Sequence, residues 1–82
     1  MKVKVLYFAA VRELVGVDEE GLELPPDVTT VGAFVRFLEG ARPVLAERMA
    51  SVRIARNETF APNAEALAEG DVLALIPPVA GG

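Results

Sequence analysis

Apolar and polar residues alternate along several short segments of the chain, which is the pattern of half-buried β-strands. In the first segment, Val3, Val5 and Tyr7 share one face. The last segment is almost continuously apolar, as is typical of a central strand. The predicted strands lie at residues 2–9, 22–24, 52–56, 59–60 and 72–76. Residues 18–21 are mostly acidic and predict a turn before the second strand.

One segment repeats apolar residues at helical spacing instead. Its apolar residues are Val31, Phe34, Val35 and Leu38. Thr29 or Thr30 is placed to accept a hydrogen bond from a first-turn amide, and Gly40 to end the helix in a left-handed conformation. Residues 10–15 and 43–49 each predict a short helical turn.

The order of these elements predicts an α+β fold of the β-grasp, or ubiquitin-like, type. The main helix covers one face of a mixed sheet of four to five strands. A right-handed crossover through that helix places the last strand beside the first and parallel to it. We expect one domain at residues 1–76, with residues 77–82 protruding from the middle of the sheet as a flexible tail.

Composition limits the chemistry that this domain can perform. The chain has 82 residues, 52% of them apolar, which suits one small folded domain. It contains no Cys, which excludes disulfides, zinc-thiolate sites and a thiol nucleophile. It also contains no His, the usual general base and the commonest metal ligand. We expect no metal site, no enzymatic activity of the chain by itself, and a reducing, cytoplasmic setting.

Charge and hydropathy argue against nucleic acids and membranes as partners. The formal net charge is −4, whereas binding to phosphates needs a surplus of Lys and Arg. The longest uncharged run, residues 72–82, is too short to span a bilayer and is interrupted by Pro77 and Pro78. Near the start, Arg12 and Glu13 interrupt the apolar run too early for a signal peptide.

The last six residues form a distinctive segment. They are Pro77, Pro78, Val79, Ala80, Gly81 and Gly82. The prolines make a stiff exit from the last strand, and the side chains after them decrease in size to glycine. Fully extended, the segment reaches roughly 20 Å, so it can pass through a narrow channel of another protein and deliver a carboxylate. A frayed terminus is the alternative interpretation.

A carboxylate delivered in this way needs activation before it reacts. Coupling of the Gly82 carboxylate to AMP gives an acyl-adenylate with a good leaving group, and a sulfur donor that replaces AMP leaves a thiocarboxylate. This group is a soft nucleophile tethered to a protein, suited to the insertion of sulfur into a small molecule. Because the chain lacks Cys, no internal thiol competes for the activated acyl group.

Two segments resemble the small subunits of molybdopterin synthase, the MoaD-type sulfur carriers. The first is Val-Lys-Val-Leu-Tyr-Phe-Ala at residues 3–9 with Arg-Glu-Leu at 12–14, and the second is residues 70–82. The length and the order of elements also resemble this family from end to end. Residues 25–60 resemble it only in pattern.

The resemblance implies a function and a set of partners. A separate activating enzyme uses ATP to adenylate Gly82, and a cysteine desulfurase or a rhodanese supplies the sulfur. The chain binds no cofactor stably, since the sulfur is carried as the terminal thiocarboxylate. The tail then inserts into the large, catalytic subunit of a heterotetramer and donates sulfur to cyclic pyranopterin monophosphate.

Apolar residues on the sheet predict a surface for a partner. If the helix covers the other face of the first strand, Phe8 points to solvent with Phe60 and Ile76 near it. Burial of one or more of the three in the core is the alternative, because the facing of a short strand is easily misassigned. Arg12 is expected either to form a local ion pair or to contact the activating enzyme.

Charged residues are unevenly distributed along the second half of the chain. Four arginines are close together in sequence: Arg42, Arg48, Arg53 and Arg56. They predict either a site for phosphate or an acidic partner, or simply a solvated face. Residues 57–82 hold four acidic residues and no basic one, which favours steering of the tail toward a basic pocket.

Three other functions share features of this sequence. A sister sulfur carrier for thiamin thiazole or tRNA thiolation would have the same fold and ending. A ubiquitin-like protein modifier would form the same adenylate and then an isopeptide bond with a lysine of its target. A plain binding module would keep its function after deletion of Gly81 and Gly82.

Overall fold

The structure, a computed structural model, describes residues 1–78 of the chain. Its strands are β1 (Lys2–Tyr7), β2 (Glu19–Glu23), β3 (Arg53–Arg56), β4 (Thr59–Phe60) and β5 (Val72–Ile76). Its helices are α1 (Ala9–Val15) and α2 (Val31–Ala41), and 3₁₀ turns follow at Pro43–Leu45 and Met49–Ser51. The predicted order of strands and helices is confirmed in this part of the chain.

The sheet is mixed and has the strand order β2-β1-β5-β3-β4. β1 pairs antiparallel with β2, and β3 pairs antiparallel with both β4 and β5. As the sequence predicts, β5 lies beside β1 and parallel to it, with Val5 opposite Leu73. A parallel pair needs a long connection between its strands, and α2 forms part of that connection. This arrangement is the β-grasp fold, and it brings the last strand to the middle of the sheet.

The core lies between the sheet and α2. Alternation along β1 buries Val3, Val5 and Tyr7, each of which is at most 2% exposed. Leu73 and Leu75 of β5 are fully buried beside them. The buried residues of α2 include Val31, Phe34 and Leu38. One face of the sheet is therefore used entirely for folding.

Different residues set the two ends of α2. Of the two candidate caps, Thr30 is the one used, since its Oγ1 accepts a hydrogen bond from the backbone N–H of Ala33 at 3.2 Å. The prediction that Gly40 ends the helix is wrong, because α2 continues through Ala41. Arg42 leaves the helical conformation, with φ −131° and ψ 76°. It precedes Pro43, whose ring disfavours the helical conformation for the residue before it.

The predicted acidic turn is wrong over most of its length. Residues 19–21 belong to β2 and pair with residues 4–6 of β1. Local preference favours a turn there, but strand pairing and a hydrogen bond from the Tyr7 hydroxyl to Glu20, 2.6 Å long, stabilise the strand. The predicted first strand is also too long, because β1 ends at Tyr7 and Phe8 is the N-cap residue of α1.

Candidate functional site

The outer face of the sheet, opposite α2, carries a row of apolar residues across four strands. Leu6 of β1 lies opposite Ala74 of β5. Ala74 in turn lies opposite Ala55 of β3, and Ala55 lies opposite Phe60 of β4. The two alanines are small, so they form a shallow floor between the larger side chains of Leu6 and Phe60.

Phe8, Phe60 and Ile76 line the same depression as this row. Phe8 is 46% exposed and Phe60 is 48% exposed, while Ile76 is half-buried. Contiguous apolar surface with exposed aromatic side chains is typical of a binding surface. We name this surface the outer-face patch and define it as Leu6, Phe8, Ala55, Phe60, Ala74 and Ile76. The structure thus places Phe8, Phe60 and Ile76 around one depression, and their contact with a partner stays a prediction.

Sequence reasoning found one half of the floor of the outer-face patch and missed the other. Alternation along the last strand points Leu73 and Leu75 inward and Ala74 outward. Ala55 was missed, because it is a small residue in a short strand and nothing in its local sequence marks it as part of a binding surface. Leu6 offered a signal, because it is an apolar residue on a strand face that it shares with Lys2 and Lys4.

The C-terminal segment begins at the edge of the outer-face patch. Pro77 is half-buried and Pro78 is exposed. Both line a second depression with Phe8 of the patch and with residues of α1, including Glu13. The chain thus leaves the sheet beside both the patch and α1. The predicted tail residues Val79, Ala80, Gly81 and Gly82, including the reactive carboxylate, lie outside the described residues.

Arg12 lies on α1 and does not line the outer-face patch. Its Nε is 3.8 Å from Oδ1 of Asp18, and both side chains are more than half exposed. An exposed pair at this distance contributes little to stability. Of the two roles predicted for Arg12, the local ion pair is present, and the contact with an activating enzyme stays a prediction.

Arg42 belongs to an internal network rather than to a binding surface. It donates from Nε and Nη2 to the two carboxylate oxygens of Glu20, which also accepts the hydroxyl hydrogen bond from Tyr7. Burial alone would raise the pKa of Glu20, but these hydrogen bonds and the charge of Arg42 outweigh it and hold the pKa below its ordinary value. Burial and the bond to Glu20 raise the pKa of the Tyr7 hydroxyl.

Arg56 belongs to a second internal network. Its Nε donates to Oδ2 of Asp71 at 2.6 Å, and its Nη1 donates to Glu65 at 3.2 Å. Asp71 is 5% exposed and also accepts from the backbone N–H of Ala68. Burial alone would raise the pKa of Asp71, but the hydrogen bonds and the charge of Arg56 hold it below its ordinary value. Two of the four acidic residues in the segment 57–82 are therefore paired inside the molecule.

The described part of the chain offers neither a cluster of metal ligands nor a helix that could span a membrane. Within residues 1–78, no three acidic side chains are grouped so that they could hold a metal ion. Neither α1 nor α2 has the length and apolar character needed to cross a bilayer. The outer-face patch and the root of the C-terminal segment form two adjoining depressions that share Phe8 and Ile76.

Proteins of known family match the sequence along its whole length. The sequence profile of the ThiS family matches residues 5–82. A relative from Chlamydomonas reinhardtii is 38% identical over 84 residues, with 100% of both chains covered. A relative from Mycobacterium tuberculosis is 42% identical over 85 residues, with 100% of this chain and 99% of the relative covered. Both relatives are molybdopterin synthase sulfur carrier subunits.

Solved structures share the fold. SAMP1 from Haloferax volcanii has a TM-score of 0.87 and 33% identity, with 100% of both chains covered. A putative molybdopterin converting factor subunit 1 from Pyrococcus furiosus has a TM-score of 0.85 and 37% identity, with 96% of this chain and 99% of that chain covered. The sequence profile and the full-length relatives together show that this β-grasp chain belongs to the ThiS family.

Proposed function

We propose that this chain is the sulfur carrier subunit of molybdopterin synthase. The observation that carries the proposal is its end-to-end likeness to curated carriers of that name, at 38% and 42% identity. The ending at residues 77–82 supports it, because its prolines and glycines suit the delivery of a terminal carboxylate. The carrier itself supplies no catalytic side chain, and the reaction belongs to a reducing compartment, the cytoplasm.

The reaction begins at the carboxylate of Gly82. On a separate activating enzyme the carboxylate attacks the α-phosphate of ATP, which releases pyrophosphate and forms an acyl-adenylate. A persulfide on a cysteine desulfurase or a rhodanese then attacks the acyl carbon through its outer sulfur, and AMP leaves with one of the original carboxylate oxygens. A thiol reductant cleaves the resulting acyl disulfide, which releases the thiocarboxylate and leaves the donor cysteine in a disulfide. The thiocarboxylate sulfur then bonds to cyclic pyranopterin monophosphate, and water cleaves the resulting thioester, so that Gly82 returns to a carboxylate. Two such transfers build the dithiolene of molybdopterin.

The outer-face patch is the docking surface for the large, catalytic subunit in this proposal. Phe8 belongs to the patch and also lines the depression around Pro77 and Pro78, so docking of the patch fixes where the tail begins. The four residues beyond Pro78 reach roughly 13 Å when extended, which is enough to enter a narrow channel. A complex of subunits 1 and 2 of molybdopterin-converting factor from Helicobacter pylori contains a chain with 26% identity and a TM-score of 0.73, which supports assembly with a second subunit. The heterotetramer is part of the proposal and follows from the family resemblance alone.

The test is the intact mass of the purified chain after incubation with ATP, the activating enzyme and the sulfur donor. The matched control is the chain that lacks Gly82. We expect one oxygen to be replaced by one sulfur in the full chain, within its C-terminal peptide, and no change in the control. An unchanged mass of the full chain, with an activating enzyme that is competent on another carrier, would contradict the proposal.

A protein-modifier function is the second candidate. It is favoured by the likeness to SAMP1 from Haloferax volcanii, a small archaeal modifier protein, at 33% identity. The same acyl-adenylate would then react with a lysine amine of a target, with AMP as the leaving group and an isopeptide bond as the product. Adducts on cellular proteins that disappear on deletion of Gly82 would support this function. Co-purification with a large synthase subunit would instead support the carrier and would separate it from carriers for thiamin thiazole or tRNA thiolation.

A further inference from the structure

Arg53 occupies a defined position on the outer face of the sheet. It lies in β3 opposite Ile76 of β5, one of the residues of the outer-face patch. Its guanidinium carbon is 3.7 Å from the centroid of the Phe60 ring, which belongs to the same patch. A guanidinium over an aromatic face is held by cation–π attraction and stacking. The cation is therefore fixed directly beside the most exposed part of the patch.

The pairing of Arg53 differs from that of its neighbours in sequence. Arg42 is paired with Glu20, and Arg56 is paired with Asp71 and Glu65. Within residues 1–78, the Arg53 guanidinium has no carboxylate within 4.0 Å and makes no side-chain hydrogen bond. Its five N–H donors remain available to another molecule.

A partner that covers Phe60 must also come close to Arg53. Burial of a cation without a partner is strongly unfavourable, so the covering surface has to present an acceptor at this point. A carboxylate is the best match, because it accepts two parallel hydrogen bonds from a guanidinium. Glu58 lines the depression of the outer-face patch and carries the opposite charge, so the two ends of the patch favour different partner charges.

We propose that Arg53, held over Phe60, is a specificity-determining residue of the docking surface and receives a carboxylate of the large subunit. The inference rests on the proposed function, in which the large subunit covers the outer-face patch. The stacked guanidinium loses little conformational freedom when it binds, because its orientation is set before the encounter. It selects for a partner that has a carboxylate beside its apolar contact surface.

The test is calorimetric titration of the chain into the large subunit over a range of salt concentrations. We expect Arg53→Gln to weaken binding roughly 10- to 100-fold at low salt and to reduce the dependence of affinity on salt. Arg53→Glu is expected to weaken it further through repulsion between carboxylates. The matched control is Arg36→Gln, which removes the same charge from an exposed residue of α2. Because this charge is remote from the outer-face patch, we expect its loss to change the affinity by less than about two-fold.

Two further measurements distinguish the possible failures. The melting temperature of each variant is expected to equal that of the native chain, so that weaker binding reflects the lost contact. The role of Arg53 would be overturned if Arg53→Gln kept the affinity and salt dependence of the native chain while Phe8→Ser lost binding. The proposed function would still stand after that outcome. No binding of the native chain to the large subunit would overturn both.

Discussion

The two faces of the sheet are built by the same strands and differ in what covers them. On the inner face, Val5, Leu73 and Leu75 are completely buried under α2. On the outer face, Phe8 and Phe60 are nearly half exposed. Alternation along each strand assigns neighbouring residues to opposite faces, so each face has its own set of side chains.

The difference separates folding from function. The inner face gains free energy from burial in the folded chain itself. The outer-face patch leaves nearly half of two large aromatic side chains exposed to water, and this exposed area gains no free energy from folding. Contiguous apolar surface of this kind is typical of a site for another molecule. We therefore expect substitutions on the inner face to change stability and substitutions on the outer face to change binding.

The largest expected effect on stability is that of Phe34→Ala on the inner side. Phe34 is completely buried, so its truncation removes apolar contacts and leaves a cavity. We expect the free energy of unfolding to fall by about 3–5 kcal/mol. Urea unfolding followed by circular dichroism measures this free energy. A loss below about 1 kcal/mol, the average effect of a point substitution, would contradict the assignment of this residue to the core.

The next largest effect is expected for Asp71→Ala, which breaks the network at the beginning of β5. The substitution leaves Nε of Arg56 and the N–H of Ala68 without their acceptor, at a position where Asp71 is only 5% exposed. We expect a loss of about 2–3 kcal/mol, which thermal unfolding can detect. Glu47→Ala is the matched control, because Glu47 is exposed and makes no hydrogen bond or ion pair within the described residues. Equal stability of the two variants would show that the network is not structural.

A smaller effect is expected from acid. The pKa values of Glu20 and Asp71 are lowered on folding, so their contribution to stability is present above their ordinary values of 4.5 and 3.8. It is lost as pH falls through the lower values of the folded state. Urea unfolding between about pH 7 and pH 3 is expected to show this decrease in the free energy of unfolding. We expect a smaller decrease for Glu20→Gln, because this variant lacks one of the two carboxylates. Identical profiles for the variant and the native chain would contradict the role of Glu20.

The smallest effect on stability is expected for Phe60→Ser on the outer face. The substitution removes an exposed ring and its contact with Arg53, and neither belongs to the core. We expect the free energy of unfolding to change by about 0.5 kcal/mol or less, in contrast to Phe34→Ala. The same urea titration compares the two variants. A loss as large as that of Phe34→Ala would show that the outer face also stabilises the fold.

The sequence predicts the fold well where burial decides the structure. Alternation along β1 and the apolar run of β5 are strong patterns. β5 lies where it was predicted, and β1 begins where it was predicted but ends at Tyr7. Residues 19–21 were assigned to a turn because acidic residues and glycine favour turns locally. They form part of β2 because a neighbouring strand and Tyr7 supply hydrogen bonds that no local pattern reveals. Gly40 was misassigned as a helix end because Pro43 sets the end of α2.

The candidate site is only partly predictable for the same reason. Exposure of Phe8 and Phe60 follows from which side of the sheet the helix covers, and the pattern of β1 indicates that side. The contact between Arg53 and Phe60 depends on the register of β3 and β4, which their turn determines. Arg42 and Arg56 therefore lie in internal networks while Arg53 stacks on Phe60, a difference that only the folded chain reveals.

A single-turnover transfer of sulfur tests both the carrier function and docking through the outer-face patch. The chain, with a thiocarboxylate installed at Gly82, is mixed with the large subunit and cyclic pyranopterin monophosphate, and molybdopterin is quantified. We expect product with the native chain. With Phe8→Ser, a variant of the patch whose melting temperature is first compared with that of the native chain, we expect the same product only at much higher carrier concentration. No product from the native chain would contradict the carrier function, and equal transfer at low concentration by both chains would contradict docking through the outer-face patch.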